Sequence, residues 1–105
     1  MGKLKNQITR GPFVVNRILR IDIRNRIIYF EAQGREQGRD PYFNHLYSID
    51  FAGRNLKLLT PEDGNHRIQL SPDGRYFVDT WSTPDVPPTT VLRNINGKLV
   101  TTLET

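Results

Sequence analysis

Two stretches of this chain are written in the same grammar. Ile21-Asp22-Ile23-Arg24-Asn25-Arg26-Ile27-Ile28-Tyr29-Phe30 and Leu70-Ser71-Pro72-Asp73-Gly74-Arg75-Tyr76-Phe77-Val78-Asp79 each pass from an apolar strand end through a tight polar turn to an arginine and a hydrophobic strand. The residues C-terminal to each stretch also correspond. His45 to Gly53 leads into Leu56-Lys57-Leu58-Leu59, and Thr90 to Gly97 leads into Leu99-Val100-Thr101-Thr102-Leu103. The offset is about 44 to 49 residues, the length of one four-stranded unit, and a repeat of that period folds by stacking copies face to face.

The pattern inside each copy is that of strands. Runs of β-branched and aromatic residues alternate with period two, and no stretch of about a dozen residues carries a helical i, i+3, i+4 stripe. The alternation predicts strands over Phe13–Ile23, Arg26–Gln33, His45–Phe51 and Leu56–Thr60, then Arg67–Leu70, Arg75–Ser82, Thr89–Ile95 and Lys98–Leu103. Between them Arg24-Asn25, Ala52-Gly53-Arg54-Asn55, Pro72-Asp73-Gly74 and Asn96-Gly97 each offer a residue that tolerates positive φ, which marks hairpins. Gly34–Asn44 and the proline-bearing Thr83–Pro88 read instead as surface loops. The fold class is therefore all-β, two four-stranded antiparallel blades, with residues 1–9 as a linker, 10–62 as the first blade and 63–105 as the second. Two blades alone would leave two apolar faces open, so self-association or strand rearrangement is expected.

Bulk properties narrow the chemistry. With no cysteine there is neither a disulfide nor a thiolate metal site, and cysteine usage says nothing of compartment. Met1–Asn6 holds no apolar run of signal-peptide length, and nowhere do about 18 apolar residues occur together, so no membrane partner is expected. The net charge of +4, from 15 basic and 11 acidic residues, raises the question of an anionic partner.

The ordered series of motifs is similar to one family. Ile28-Tyr29-Phe30-Glu31-Ala32, the loop from Gly34 to Phe43, His45-Leu46-Tyr47, then Leu58 to His66, Ser71 to Asp79 and Ser82 to Pro88 resemble the last two propeller blades before the catalytic domain of dipeptidyl peptidase IV-like and prolyl tripeptidyl serine exopeptidases. The resemblance spans roughly residues 10 to 104. A lone Ser-Pro-Asp-Gly-Arg turn occurs in many propellers; the series across both copies is what carries the likeness. It implies a parent, periplasmic or secreted, that releases short peptides from amino ends through an α/β-hydrolase domain. In this chain there is neither the Gly-x-Ser-x-Gly elbow nor a Glu-Glu pair for the substrate's amino terminus, so catalysis and amino-end recognition do not carry over. The partners implied are that hydrolase domain and the remaining blades, and the role implied is to close the ring and shape the chamber entrance.

Single residues admit simpler roles beside the functional ones. His45 and His66 with Ser48, Ser71 and Ser82 supply the residue types of a nucleophile and base, yet His45 sits where an imidazole bonds backbone and Ser71 where a hydroxyl closes a turn. The two histidines match no tight metal-ligand spacing, so no catalytic, metal or cofactor residue is assigned and no cofactor is expected. Arg17, Arg20, Arg24 and Arg26 near Tyr29 and Phe30 raise single-stranded nucleic acid as the alternative class, a basic β-domain on an anionic partner; the solvated strand face is the simpler reading, and no specific nucleic acid is expected. The most function-like segment is the loop holding Arg35, Glu36, Arg39, Asp40, Tyr42 and Phe43, a candidate domain-docking loop. In an up-and-down blade this loop, Pro61–His66 and Thr83–Pro88 fall on one face, opposite the short turns.

Overall fold

The computed structural model describes residues 14–36 and 38–104, with the side chain of Glu104 excepted. The expected linker 1–9 and the strand start at Phe13 lie outside them. Within them there is no helix, and the order is β1 (Val14–Asp22), β2 (Ile27–Gln33), β3 (Asn44–Asp50), β4 (Lys57–Leu58), β5 (Asn65–Leu70), β6 (Tyr76–Thr83), β7 (Val86–Asn94) and β8 (Leu99–Glu104). These strands form two antiparallel meanders, β1-β2-β3-β4 and β5-β6-β7-β8, two propeller blades.

The repeat seen in the sequence is a repeat of hydrogen bonds. In the first blade the Arg26 carbonyl accepts from Phe51 N at 3.1 Å, and in the second the Arg75 carbonyl accepts from Ile95 N at 2.8 Å, so the equivalent arginines tie the two hairpin turns of each blade together. Asp50 caps its turn by accepting from Ala52 N and Arg54 N, and Asn94 does the same for Asn96 N and Lys98 N. Gly53, Gly74 and Gly97 take the positive φ the turns require; in the first turn that burden falls on Arg26, at φ 57, rather than on Asn25.

Three expectations are corrected. The fourth strand shrinks from Leu56–Thr60 to Lys57–Leu58, because beyond Leu59 N→Leu46 O the hydroxyl of Thr60, not the carbonyl of Leu59, accepts from Leu46 N at 3.0 Å, and Pro61 has no N–H to continue the ladder. Thr83–Pro88 is not a long loop. Thr83 pairs with Val86 across Pro84-Asp85, and a bulge opposite Ser82 accommodates Pro87 and Pro88 in β7, ahead of the stretch where β8 begins to pair.

The third concerns the faces. The seam between blades buries Tyr29, Leu46, Leu59, Ile68 and Phe77. The other face of the first sheet is also closed, with Ile28, Phe30, Ala32, Tyr47 and Ile49 all at 4% exposure or less and Val15, Phe51, Leu56 and Leu58 packed against them. The corresponding face of the second sheet carries Gln69, Val78, Leu92 and Thr101 across its strands, beside Arg67, Thr80 and Thr90, so it is mixed rather than apolar.

Gly97 shows how tightly the seam is drawn. A Cβ there would lie 2.9 Å from the backbone oxygen of Leu59, and its φ is +90°, whereas a Cβ on Gly38 (φ +79°) would meet nothing within 4 Å. Gly97→Ala should destabilise by about 2–3 kcal/mol and Gly38→Ala by only about 1 kcal/mol. Urea denaturation of both variants checks this, and equal midpoints would contradict the seam contact.

Candidate docking face and the buried charge chain behind it

The loop between β2 and β3 is held from below. The Arg35 guanidinium lies 5.5 Å over the Tyr47 ring and pairs with Glu36 at 2.7 Å, and Tyr47 donates its hydroxyl to the same Glu36 oxygen at 2.9 Å. Burial of Glu36 opposes ionisation, but the bonds from Tyr47 and Arg35 outweigh it and hold the carboxyl below its usual range. Burial, reinforced by Glu36, pushes the Tyr47 phenol well up.

Arg39 reaches across to the connection between blades. It donates to Pro61 O at 2.7 Å and Glu62 O at 3.4 Å, and stands 4.0 Å from Asp63. Asp40 turns the loop, its carboxylate accepting from Tyr42 N and its carbonyl from Phe43 N. Tyr42, 80% exposed, and half-buried Phe43 border an open cleft of about 340 Å³ with Asn65, Ser82, Thr83 and Pro84. Thus the β2–β3 loop, the β4–β5 connection and the β6–β7 hairpin meet at one end of the sheets. Of the six loop residues singled out from the sequence, Arg35, Glu36 and Arg39 are spent on positioning, Asp40 shapes the turn, and Tyr42 and Phe43 face the cleft.

Behind this face runs a chain of buried charge that sequence reasoning missed. His66 Nδ1 is hydrogen-bonded with Asp79 Oδ1 at 2.6 Å, and its Nε2 with the Glu62 carbonyl at 2.8 Å. Arg93 donates from Nε to Asp79 Oδ2 at 3.1 Å, from Nη2 to Glu62 Oε2 at 2.5 Å and from Nη1 to Gly97 O at 3.0 Å. The His66 and Asp79 side chains are at 0% exposure. The Trp81 ring lies 5.7 Å from that of His66 and 5.9 Å beneath the Arg93 guanidinium. The available signal was parity: Asp79 shares its strand face with Phe77 and Trp81, and Arg93 with Val91, so each is a charge on an apolar face.

Among the described residues, Glu62, His66 and Asp79 are brought close enough together to offer a metal three ligand atoms, all within 4.8 Å of one another. Arg93 supplies the positive charge between the two carboxylates, and both His66 nitrogens are engaged. Nor does either histidine meet a serine: His45 Nδ1 donates to Thr60 O at 3.1 Å, and Ser71 Oγ donates to Asp73 at 2.7 Å. Tyr29 and Phe30, the aromatics beside the early arginines, are buried and offer no stacking platform.

His45 is buried at 2% exposure, with Nε2 unpartnered. Desolvation, then the neighbouring His66, hold its imidazole below the ordinary value of 6.5. A depressed histidine contributes stability that is present above the unfolded value and lost as pH falls through the folded one. The denaturation midpoint should therefore decline on acidification below pH 6.5, and His45→Gln should flatten that decline; parallel curves for both proteins would exclude it. Arg93→Met should cost about 3–5 kcal/mol, because it takes the cation from between two carboxylates and leaves Asp79 Oδ2 and Glu62 Oε2 without their donor, measurable by the same denaturation.

Comparison with known proteins locates this arrangement. The sequence model of the "Dipeptidyl peptidase IV (DPP IV) N-terminal region" family matches residues 1–88. The chain is 30% identical over 83 residues to a probable dipeptidyl-aminopeptidase B of Tuber melanosporum, covering 76% of this chain and 9% of that protein. With a dipeptidyl peptidase 4 of Arthroderma otae the identity is 26% over 85 residues, 76% of this chain and 10% of the relative. Among solved structures, the Porphyromonas gingivalis dipeptidyl peptidase 4 matches with a TM-score of 0.77 at 24% identity over 92% of this chain and 13% of that one. A putative dipeptidyl aminopeptidase IV from Bacteroides ovatus matches with a TM-score of 0.68 at 26% identity, over 93% of this chain and 13% of that one. The chain thus spans about a tenth of the length of the curated relatives it matches.

Proposed function

Because the chain belongs to the dipeptidyl peptidase IV N-terminal-region family, we propose that it is a non-catalytic two-blade segment of a dipeptidyl peptidase IV-like serine exopeptidase, whose loop end docks the α/β-hydrolase domain and shapes the entrance to its chamber. One observation carries this reading: three connections from both blades converge at one end around a cleft, and Arg39 locks two of them together at 2.7 Å. A surface that must hold a second domain in register has to be rigid before contact, and the bonds of Arg35, Glu36, Arg39 and Asp40 supply that rigidity. Tyr42, exposed at the rim with its backbone fixed by Asp40 and Gln33, is the anchor such a contact uses. A periplasmic or secreted parent, and association of the segment with the other blades or with itself, belong to the same reading.

The test is made in the parent peptidase. Tyr42→Ala and Arg39→Met, in the chain that includes the hydrolase domain, should each lower kcat/KM on a chromogenic dipeptide substrate by roughly tenfold, since small misplacements of a catalytic domain are costly. The 105-residue chain alone should show no turnover. Unchanged kinetics in both variants would remove the docking role, and turnover by the short chain would remove the non-catalytic one.

A further inference from the structure

The charges of this chain are sorted by end. The four hairpin turns carry Arg24, Arg26, Arg54, Arg75 and Lys98, all exposed. Arg20 and Lys57 stand next to them: the Arg20 guanidinium lies where a Cβ on Gly74 would approach within 2.5 Å, which makes the first turns of the two blades neighbours, and Lys57 borders a notch of about 250 Å³ with Asn25 and Asn55. Against these seven cations stand three carboxylates, Asp22, Asp50 and Asp73.

Those three are held in hydrogen bonds within their own turns. Asp22 accepts from the side chain and backbone of Asn25, Asp50 from Arg54 N, Asn55 and Ala52 N, and Asp73 from Ser71 and Arg75 N; these bonds hold each carboxyl below its usual range. Every ion pair among the described residues involves Arg17, Arg35, Arg39, His66 or Arg93. Asp22, Asp50 and Asp73 attract Arg20, Arg54 and Arg75 through space, but none of the seven cations forms a close ion pair with another described residue, and the end keeps an excess of positive charge. Among them, on the first turn, Ile23 stands 77% exposed.

We propose that this turn end is a peripheral docking surface for an anionic lipid bilayer. The arginines and lysines meet the headgroups, and Ile23 enters the interface as a shallow apolar wedge between Asp22 and Arg24. A cluster of this size is what an anionic leaflet attracts, and an exposed aliphatic among cations is what distinguishes a lipid contact from a soluble polyanion. Nucleic acid is disfavoured because Tyr29 and Phe30 are buried, which leaves Tyr76 rather than a run of aromatics for stacking, and the cations sit on separate turn tips rather than along a groove. The expectation of no membrane partner rested on the lack of a spanning segment; no helix is long and apolar enough to cross, but a peripheral contact needs none. The proposal rests on the loop end facing the rest of the parent, which leaves the turn end free.

The experiment is co-sedimentation of the 105-residue chain with phosphatidylcholine vesicles, with and without about a third phosphatidylserine, beside heparin and duplex DNA as soluble polyanions. Binding should appear only with phosphatidylserine and weaken as salt rises. Arg24→Glu with Arg26→Glu should reduce it by at least roughly fivefold per cation. Ile23→Ser should reduce vesicle binding severalfold and leave any heparin or DNA binding unchanged. Circular dichroism melts of these surface variants confirm that the fold is kept. Absence of vesicle binding, equal binding to neutral vesicles, or indifference to Ile23→Ser with tighter heparin or DNA binding would each overturn the proposal. Loop-end variants that fail the peptidase test should leave vesicle binding intact, so the two readings fail separately.

Discussion

A carboxylate sealed from water must be given cations and donors, and Asp79 is sealed completely. His66 takes one of its oxygens, Arg93 the other, and both continue to Glu62, His66 at its carbonyl and Arg93 at its carboxylate. The consequence is architectural. Glu62 belongs to the connection that leaves the first blade, so the charge requirement of one strand residue fixes where the chain crosses between blades. Arg39 then grips the same connection from the other side through the carbonyls of Pro61 and Glu62. The apolar seam of Tyr29, Leu46, Leu59, Ile68 and Phe77 supplies burial, which is indifferent to direction; the charge chain supplies the register.

That division explains why the two ends of the sheets differ. Turns are short and self-capped, with Asp22, Asp50, Asp73 and Asn94 meeting their donors locally, so the neighbouring cations remain in solvent. At the other end the connections are bound to one another across blades, by Arg39 at the carbonyls of Pro61 and Glu62 and by Arg93 at the Glu62 carboxylate. One end of the molecule is thus built for shape and the other retains a free field. A single segment thus presents a rigid, interlocked end and a charged end, and the buried seam lies between them.

The strand pattern was legible because period-two alternation and turn residues are local properties of the chain. Asp50 and Asn94 stand at equivalent places in the two copies, and so do Arg26 and Arg75, which is why spacing alone located both blades. The misread segments are those where side chains substitute for backbone or a bulge absorbs a proline. The Thr60 hydroxyl accepts where the ladder would use the Leu59 carbonyl, so β4 ends early. Pro87 and Pro88 looked like loop residues, yet a bulge opposite Ser82 carries them inside β7. Neither arrangement has a signature in residue order.

The sequence by itself determined an all-β chain of two homologous units, the places of its hairpin turns, and the position of the loop that holds Tyr42 and Phe43. Only the tertiary structure decided that Glu62, His66, Asp79 and Arg93 form one buried chain, that Arg39 spans the seam, and that seven cations without close ion pairs gather at the turn end. The physical reason is distance along the chain. Alternation and turn propensity act over a few residues and are read from neighbours, whereas Glu62 and Arg93 lie 31 positions apart, and their pairing exists only once two sheets have packed and excluded the water that would otherwise solvate each charge alone.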